Sequence, residues 1–402
     1  MAGPGDVHTL TRPGVQVRYA DGVGLGSTFL NYLFNGATGH SIAEECTNAY
    51  RYIVENYMPG YEIWMFGLSR GAFTVRCVAG MINNCGIVMP IRNNAGAIDR
   101  DRTGELCEEV YKLYRSPYEI NHPKSQQMQT FRANRSHSTP TPIKFMGLFD
   151  TVGSLGIPRF TGGVGFEWPE FYDQVVSSVV EHVYHAVSLH DRLWLFQPCL
   201  AFSGPGPNPN PTIHEMWFPG AHYDLGRQRF RFFRAGTNWF EGKLFGLLNL
   251  LANTIEPNHV LSDLVLRWML ESIAQHDPAG AVIQNIPLQL STITDSIWRA
   301  QNTGDGDVYN NALDYIPFGN LVRSISSIGG LFGNTVESIL SVKSILQILL
   351  AVRDRAIPDS TAQVYPYQTP DAALGQNTIE QLADMDARRY PSRTYQYFRQ
   401  YR

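Results

Sequence analysis

Cysteine is scarce in this chain, and the few present carry no pattern. Cys46, Cys77, Cys85, Cys107 and Cys199 are odd in number and include no C-x-x-C, which argues against a disulfide framework or a zinc knuckle. Charge is scarce too: charged residues make up 17%, with a formal net charge of −4 and a pI near 6.3. Binding phosphate needs a basic face, so a general nucleic-acid binder is set aside. Long apolar runs are missing. The nearest approach to a spanning helix, Leu331 to Val352, is interrupted by Asn334, Glu337 and Lys343. A bilayer asks for about 20 nearly uncharged residues. Met1 to Gly14 holds no apolar core of a secretory signal, so the expected location is cytoplasmic. Asn134, Arg135 and Ser136 fit a glycosylation sequon, which means little without secretion. No internal repeat is visible.

What is present is an apolar chain, 44% hydrophobic over 402 residues, long enough for one large α/β domain or two ordinary ones. It is organised around Tyr61 to Arg76. An aromatic-rich apolar run, Ile63 to Phe66, turns through Gly67, Leu68, Ser69, Arg70 and Gly71 and becomes helix-compatible at Ala72. Strand, sharp turn and helix are the setting of a G-x-S-x-G nucleophile elbow. The two glycines are expected to relieve crowding in a strained turn. The following helix N-terminus favours the negative charge that develops in acyl transfer. The competing reading is a tight turn whose serine merely caps the helix.

Along the rest of the chain, Val15 to Tyr19 alternates like a strand and ends in a glycine turn that lacks the P-loop pattern. Ser41 to Tyr57 reads as an amphipathic helix, with Ser41 and Glu44 forming a capping box. Residues 89–139 read as a surface insertion with one helix, Gly104 to Tyr114. Pro142 to Phe149 is a buried strand ending at Asp150. Phe171 to Leu189 reads as a helix, Ile213 to Phe218 as a strand, and Leu261 to Ile273 as a helix. Residues 276–330 read as irregular, 331–352 as helical and 356–402 as extended or disordered, with a solvated basic tail.

A serine hydroxyl needs a histidine base, and the histidine needs a carboxylate to orient it. In an α/β-hydrolase the order is serine, acid, histidine. Asp150 is the best strand-end carboxylate after Ser69, and His222 the best loop histidine after a later strand. Asp191 remains an alternative acid. His185 and His190 remain alternative histidines in supporting roles, and Asp224 could bind a loop amide. One oxyanion donor is expected at the backbone N–H of Arg70, the other in an earlier loop. No tight metal-ligand spacing such as H-E-x-x-H occurs, so no metal or other cofactor is expected.

These blocks together resemble a family: the α/β-hydrolases that contain the phospholipase effectors of bacterial type VI secretion systems, found in fungi as uncharacterised proteins. The matching stretches are 49–82, 145–156, 183–198, 216–226 and 261–270, in family order and spread over most of residues 15–275. The resemblance implies an esterase or phospholipase with Ser69 as nucleophile, Asp150 as acid and His222 as base. Two departures stand out. The family opens with a strand ending in an Asp-Gly-Thr loop, and this chain starts after it. The family's histidine loop continues with several glycines, whereas here Gly226 is followed by Arg227, Gln228 and Arg229.

The expectation is an α/β-hydrolase-like fold with a mainly parallel sheet flanked by helices. It comprises a catalytic domain over 1–275 and an irregular and helical C-terminal extension over 276–402. The expected activity is serine-dependent hydrolysis of a carboxylic ester, most plausibly of a lipid or phospholipid. The rival from another class is an interaction protein that kept the fold with weak or no catalysis. Residues 227–260 interleave arginine and aromatics and then turn apolar. They read either as a lid making peripheral contact with a membrane or as a buried cap helix. Oligomeric state is not legible.

Overall fold

A computed structural model of the protein describes residues 13–20, 39–139, 142–152, 159–160, 166–167, 175–193, 196–204, 210–231, 254–299, 304–307, 353–358, 361–365 and 389–400. Helix α1 (Gly39–Asn56) starts two residues before the position expected from the capping box. It buries Cys46, Tyr50 and Val54, spaced to line one helical stripe. Strand β1 (Ile63–Leu68) and helix α2 (Arg70–Cys85) follow as the patterning predicts. Residues 89–139 hold two α-helices rather than one, α3 (Arg100–Tyr114) and α4 (Gln126–Arg135), with a 3-10 turn at Glu119–Asn121 between them. Asp99 and Ser125 cap them, accepting the N–H groups of Arg102 and Met128. Leu106, Cys107, Val110 and Met128 are buried in the same cluster as α1 and α2, so this segment contributes to the core.

Among the described residues the central sheet has five strands: β1, β2 (Ile143–Phe149), β3 (Val180–Ser188), β4 (Thr212–Phe218) and β5 (Gln363–Val364). They lie side by side in chain order, and every neighbouring pair is parallel. After β4 come a short helix, α5 (His222–Leu225), and the longer α6 (His259–His276) and α7 (Ile286–Arg299). Met65, Met146, Leu148 and Val183 bury one face of the sheet with α1 and α2. Phe145, Tyr184, Met216 and Phe218 bury the other with α6 and α7. The result is a mixed α/β architecture with helices on both faces of a parallel sheet, the arrangement that such sheets require.

The aromatic run in β1 has a packing role. Trp64 stacks on Phe145, Phe145 on Tyr184, and Tyr184 on His214, with ring centroids 5.1, 5.1 and 4.5 Å apart. The stack crosses four strands, and each such contact contributes about 0.5–1.5 kcal/mol beyond area burial. It fixes the register of the strands that deliver the site residues.

Several expectations are corrected. Val180–Ser188 is a strand inside the sheet, not part of a helix over 171–189. A strand buried on both faces loses its two-residue alternation, and its valines then mimic helical spacing. Val15 forms a single bridge rather than opening a strand. Within 276–330, residues 286–299 are helical. Within 356–402, β5 pairs with β4 and α8 (Thr394–Gln400) follows, with Tyr390 and Phe398 buried. The helix expected over 331–352 lies outside the described residues.

Candidate active site

All five strands point the same way, so their carboxyl ends share one edge, where functional residues of open α/β sheets collect. The ladder carries the chain past each strand end. Ser69 N–H donates to Phe149 O at 2.8 Å, and Asp150 N–H donates to Ala186 O at 2.7 Å. Ser69, Asp150 and the turn before His222 are thereby delivered to one rim.

Ser69 sits at φ 58, ψ −121, a backbone conformation that L residues rarely adopt, and is only 5% exposed. Its side chain makes no capping hydrogen bond to α2, so the reading of a mere helix cap does not describe it. The turn is tight because two backbones touch. A Cβ at Gly67 would stand 2.4 Å from the carbonyl carbon and oxygen of Gly71. At Gly71 an added Cβ meets nothing within 4 Å, so relief of crowding is the task of Gly67 and not of both glycines. Arg70 is the first residue of α2, which places its amide at the positive end of the helix dipole.

Asp150 also has left-handed backbone, φ 43, and is wholly buried. Its Oδ2 lies 2.6 Å from His222 Nδ1. Ser188 N–H donates to Oδ1 at 2.8 Å, and Arg355 reaches both oxygens, at 2.6 and 2.9 Å. Burial alone would raise this carboxyl's pKa. The Arg355 guanidinium and His222 outweigh it and hold the group well below the usual carboxylate range. The His222 ring packs on Phe196, with centroids 4.6 Å apart. The turn that carries His222 rests on β1, since a Cβ at Gly226 would stand 2.5 Å from Leu68 Cδ2.

The other candidates occupy supporting positions. Asp191 accepts the backbone N–H of His222 and of Leu193, both at 2.9 Å. His185 lies on β3, not on a helix. Its Nε2 accepts Thr151 N–H at 3.2 Å and its Nδ1 faces Glu215 at 3.1 Å, which braces the loop after Asp150. His190 Nδ1 accepts Gly220 N–H at 3.1 Å, and burial pushes its pKa down to about 4, so it is neutral at pH 7. Arg355 escaped the sequence reading. It lies far down the chain in a stretch read as an extension, and only its charge beside an apolar segment marked it.

Asp224 binds loop amides as expected: it accepts from Ala221 N–H and Asn258 N–H, each at 2.7 Å, and from Tyr390 OH at 2.9 Å. Burial nevertheless pushes its pKa up to about 7 against those three donors. A raised folded-state pKa gives stability that is present below the unfolded value and lost as pH rises through the folded one. The window is therefore pH 4 to 7, and the effect is on the order of 4 kcal/mol. Relative to Asp224→Asn, the parent should lose stability steadily across that window in urea melts. Parallel profiles for the two proteins would remove Asp224 as the cause.

The segment expected as a lid or cap begins with Arg227, which reaches Asp263 on α6 at 3.2 Å. Phe230–Arg231 pairs antiparallel with Thr254–Ile255, closing the base of the segment. Residues 232–253, where lid and buried cap would differ, lie outside the described residues. Among the described residues no helix is long and apolar enough to cross a membrane.

Known proteins were compared with this chain. An uncharacterized protein of Saccharomyces cerevisiae, YEL023C, is 31% identical over 168 residues, which is 42% of this chain and 23% of that protein. The solved structure of the Tle1 effector bound to the VgrG spike of the type 6 secretion system aligns with a TM-score of 0.28. Its identity is 14%, over 68% of this chain and 62% of that one. The chain thus spans less than two thirds of the length of either relative. Residues 7–272, more than half of the chain, match the family described as T6SS phospholipase effector Tle1-like, catalytic domain. By that match, the protein belongs to the family of Tle1-like phospholipase effector catalytic domains.

Proposed function

We propose that the protein is a serine hydrolase of α/β-hydrolase type that cleaves a carboxylic ester of a lipid or phospholipid. The observation that carries this reading is the 2.6 Å contact between Asp150 Oδ2 and His222 Nδ1, buried at the sheet edge that also holds the strained Ser69. A carboxylate on Nδ1 fixes the proton there and leaves Nε2 as the base. His222 Nε2 takes the hydroxyl proton of Ser69 as Oγ bonds to the acyl carbon. The oxyanion meets the Arg70 N–H at the start of α2. The tetrahedral species collapses, and the alcohol departs with the proton from His222. Water, deprotonated by the same nitrogen, then releases the acid and restores Ser69. Family membership supports a lipid acyl chain as substrate. The arginine- and aromatic-rich stretch 227–255 supports peripheral contact with the surface that presents it.

The test is labelling with a serine-reactive fluorophosphonate, together with turnover of a short-chain nitrophenyl ester. The parent should label and turn over. Ser69→Ala should do neither while keeping the parent's melting temperature within a few degrees. Undiminished labelling of Ser69→Ala would end the case for this serine. A parent inert in both assays would leave an interaction protein on a hydrolase-like scaffold.

A further inference from the structure

Arg355 meets the candidate acid in a way that the reaction outlined above does not use. It is 2% exposed and comes from residues 353–358, outside the stretch that matches the family. Its Nη1 donates to Asp150 Oδ1 at 2.6 Å and its Nη2 to Oδ2 at 2.9 Å, a two-pronged contact. The guanidinium is itself anchored. Nη1 also donates to Ser188 O at 2.6 Å, and Nη2 to Phe196 O. Thr394 Oγ1 donates to the Arg355 carbonyl at 2.9 Å, tying the segment to the start of α8.

We infer that Arg355 is a positioning residue: its fork locks the rotation of the Asp150 carboxylate so that Oδ2 stays on His222 Nδ1. The inference rests on the hydrolase reading for its kinetic consequence, though not for its geometry. A planar fork fixes both carboxylate oxygens at once, whereas a lysine ammonium fixes a point. Ser188 N–H and Arg355 Nη1 hold Oδ1, so Oδ2 has one direction left, toward the imidazole.

A buried guanidinium this close would oppose the imidazolium that forms during catalysis. Asp191 offsets it. Its carboxylate accepts the His222 backbone N–H and interacts electrostatically with Arg355, His222 and Asp150. Among the described residues the cluster is also faced by the Phe196 ring on His222, by His185 through Thr151 N–H, by His190 on Gly220 N–H, and by Asp224 and Tyr223, which interact electrostatically with Asp191. Burial pushes the Asp191 pKa up, and Arg355 and His222 oppose that rise, so Arg355 supplies charge that helps two acidic groups share one dry site.

The experiment compares the full-length parent with Arg355→Gln and Arg355→Lys. Arg355→Gln should lower kcat by about 10²-fold, the cost of a small misplacement, with KM changed less than about threefold. With the cation gone, the acidic limb of kcat/KM should move to higher pH, because a positive charge no longer opposes the one that forms on the base. Arg355→Lys should keep the limb in place and recover part of kcat. A proton spectrum gives a readout independent of turnover. The low-field Nδ1–H resonance of His222, assigned by its loss in His222→Gln, should shift and broaden in Arg355→Gln. Parent-like kcat, limb and resonance in Arg355→Gln would overturn the inference. If Arg355→Gln fails to fold, Arg355→Lys decides: unchanged kcat and resonance overturn it, and a reduced kcat with a displaced resonance supports it. If the parent hydrolyses no ester, the hydrolase reading falls, while the resonance still decides the role of Arg355.

Discussion

Asp150→Asn should lower kcat for ester hydrolysis by about 10⁴-fold, the cost of presenting the base in the wrong tautomer. The hydrogen-bond map around the residue shows why. Oδ1 receives Ser188 N–H and Arg355 Nη1, and Oδ2 receives His222 Nδ1 and Arg355 Nη2. An asparagine has one acceptor oxygen for these two positions. With its oxygen at Oδ1, its amide faces His222, which must then carry its proton on Nε2 and cannot accept from Ser69. With its oxygen at Oδ2, the amide collides with the donors of Ser188 and Arg355. Either way Arg355 loses the carboxylate of its two-pronged contact and keeps Asp191 as an acidic neighbour, which costs up to about 3–5 kcal/mol of stability. The variant should therefore melt lower as well as turn over slowly. Pairing it with Arg355→Met removes both charges and should restore much of the melting temperature without restoring kcat. Asp191→Asn should cost far less activity, because Asp191 serves backbone amides and not the ring. If Asp150→Asn keeps activity within tenfold of the parent while Asp191→Asn does not, the acid is Asp191.

The contrast between those two aspartates was partly legible in the sequence. Asp150 follows an apolar strand directly, and the rule that strand ends carry function picks it out. The reasons for preferring it lie in contacts that no local pattern shows. Asp191 differs from it by facing amides, and that depends on how the turn after β3 folds back on the turn before His222. The sequence of β3 itself reads as a helix, because a strand buried on both faces loses its alternation. Its abundance of Val was the available signal, since β-branched residues favour strands. Elements with strong local punctuation were legible, above all Gly67 to Gly71 between strand and helix; the helix expected over 261–273 starts earlier, at His259, where the Asn258 side chain accepts from Val260 and Leu261. Arg355, Tyr390 and β5 were not. They pair with the site and the sheet across more than a hundred residues, and no local pattern announces that pairing.

Gly67→Ala should destabilise the protein by about 3 kcal/mol or more, whereas Gly71→Ala should be neutral or gain up to about 1 kcal/mol. The two glycines flank Ser69 symmetrically in sequence, and a motif-based argument treats them alike. In space they differ. A Cβ at Gly67 would lie 2.4 Å from Gly71 C and O and 2.5 Å from Ala72 N. Those are backbone atoms of α2, which cannot rotate aside as a side chain would. Relief requires β1 and the start of α2 to separate, and that shift passes through Ser69, whose φ of 58 already sits outside the usual regions. At Gly71 the added methyl meets nothing within 4 Å, and alanine is the better helix former. Urea unfolding of both variants checks the stability difference, and fluorophosphonate labelling checks its consequence for the serine. The Gly67 variant should label more slowly even at temperatures where it remains folded, and the Gly71 variant should label at the parent's rate. Equal destabilisation by both substitutions would mean that the turn is held by its overall shape and not by the one backbone contact at Gly67.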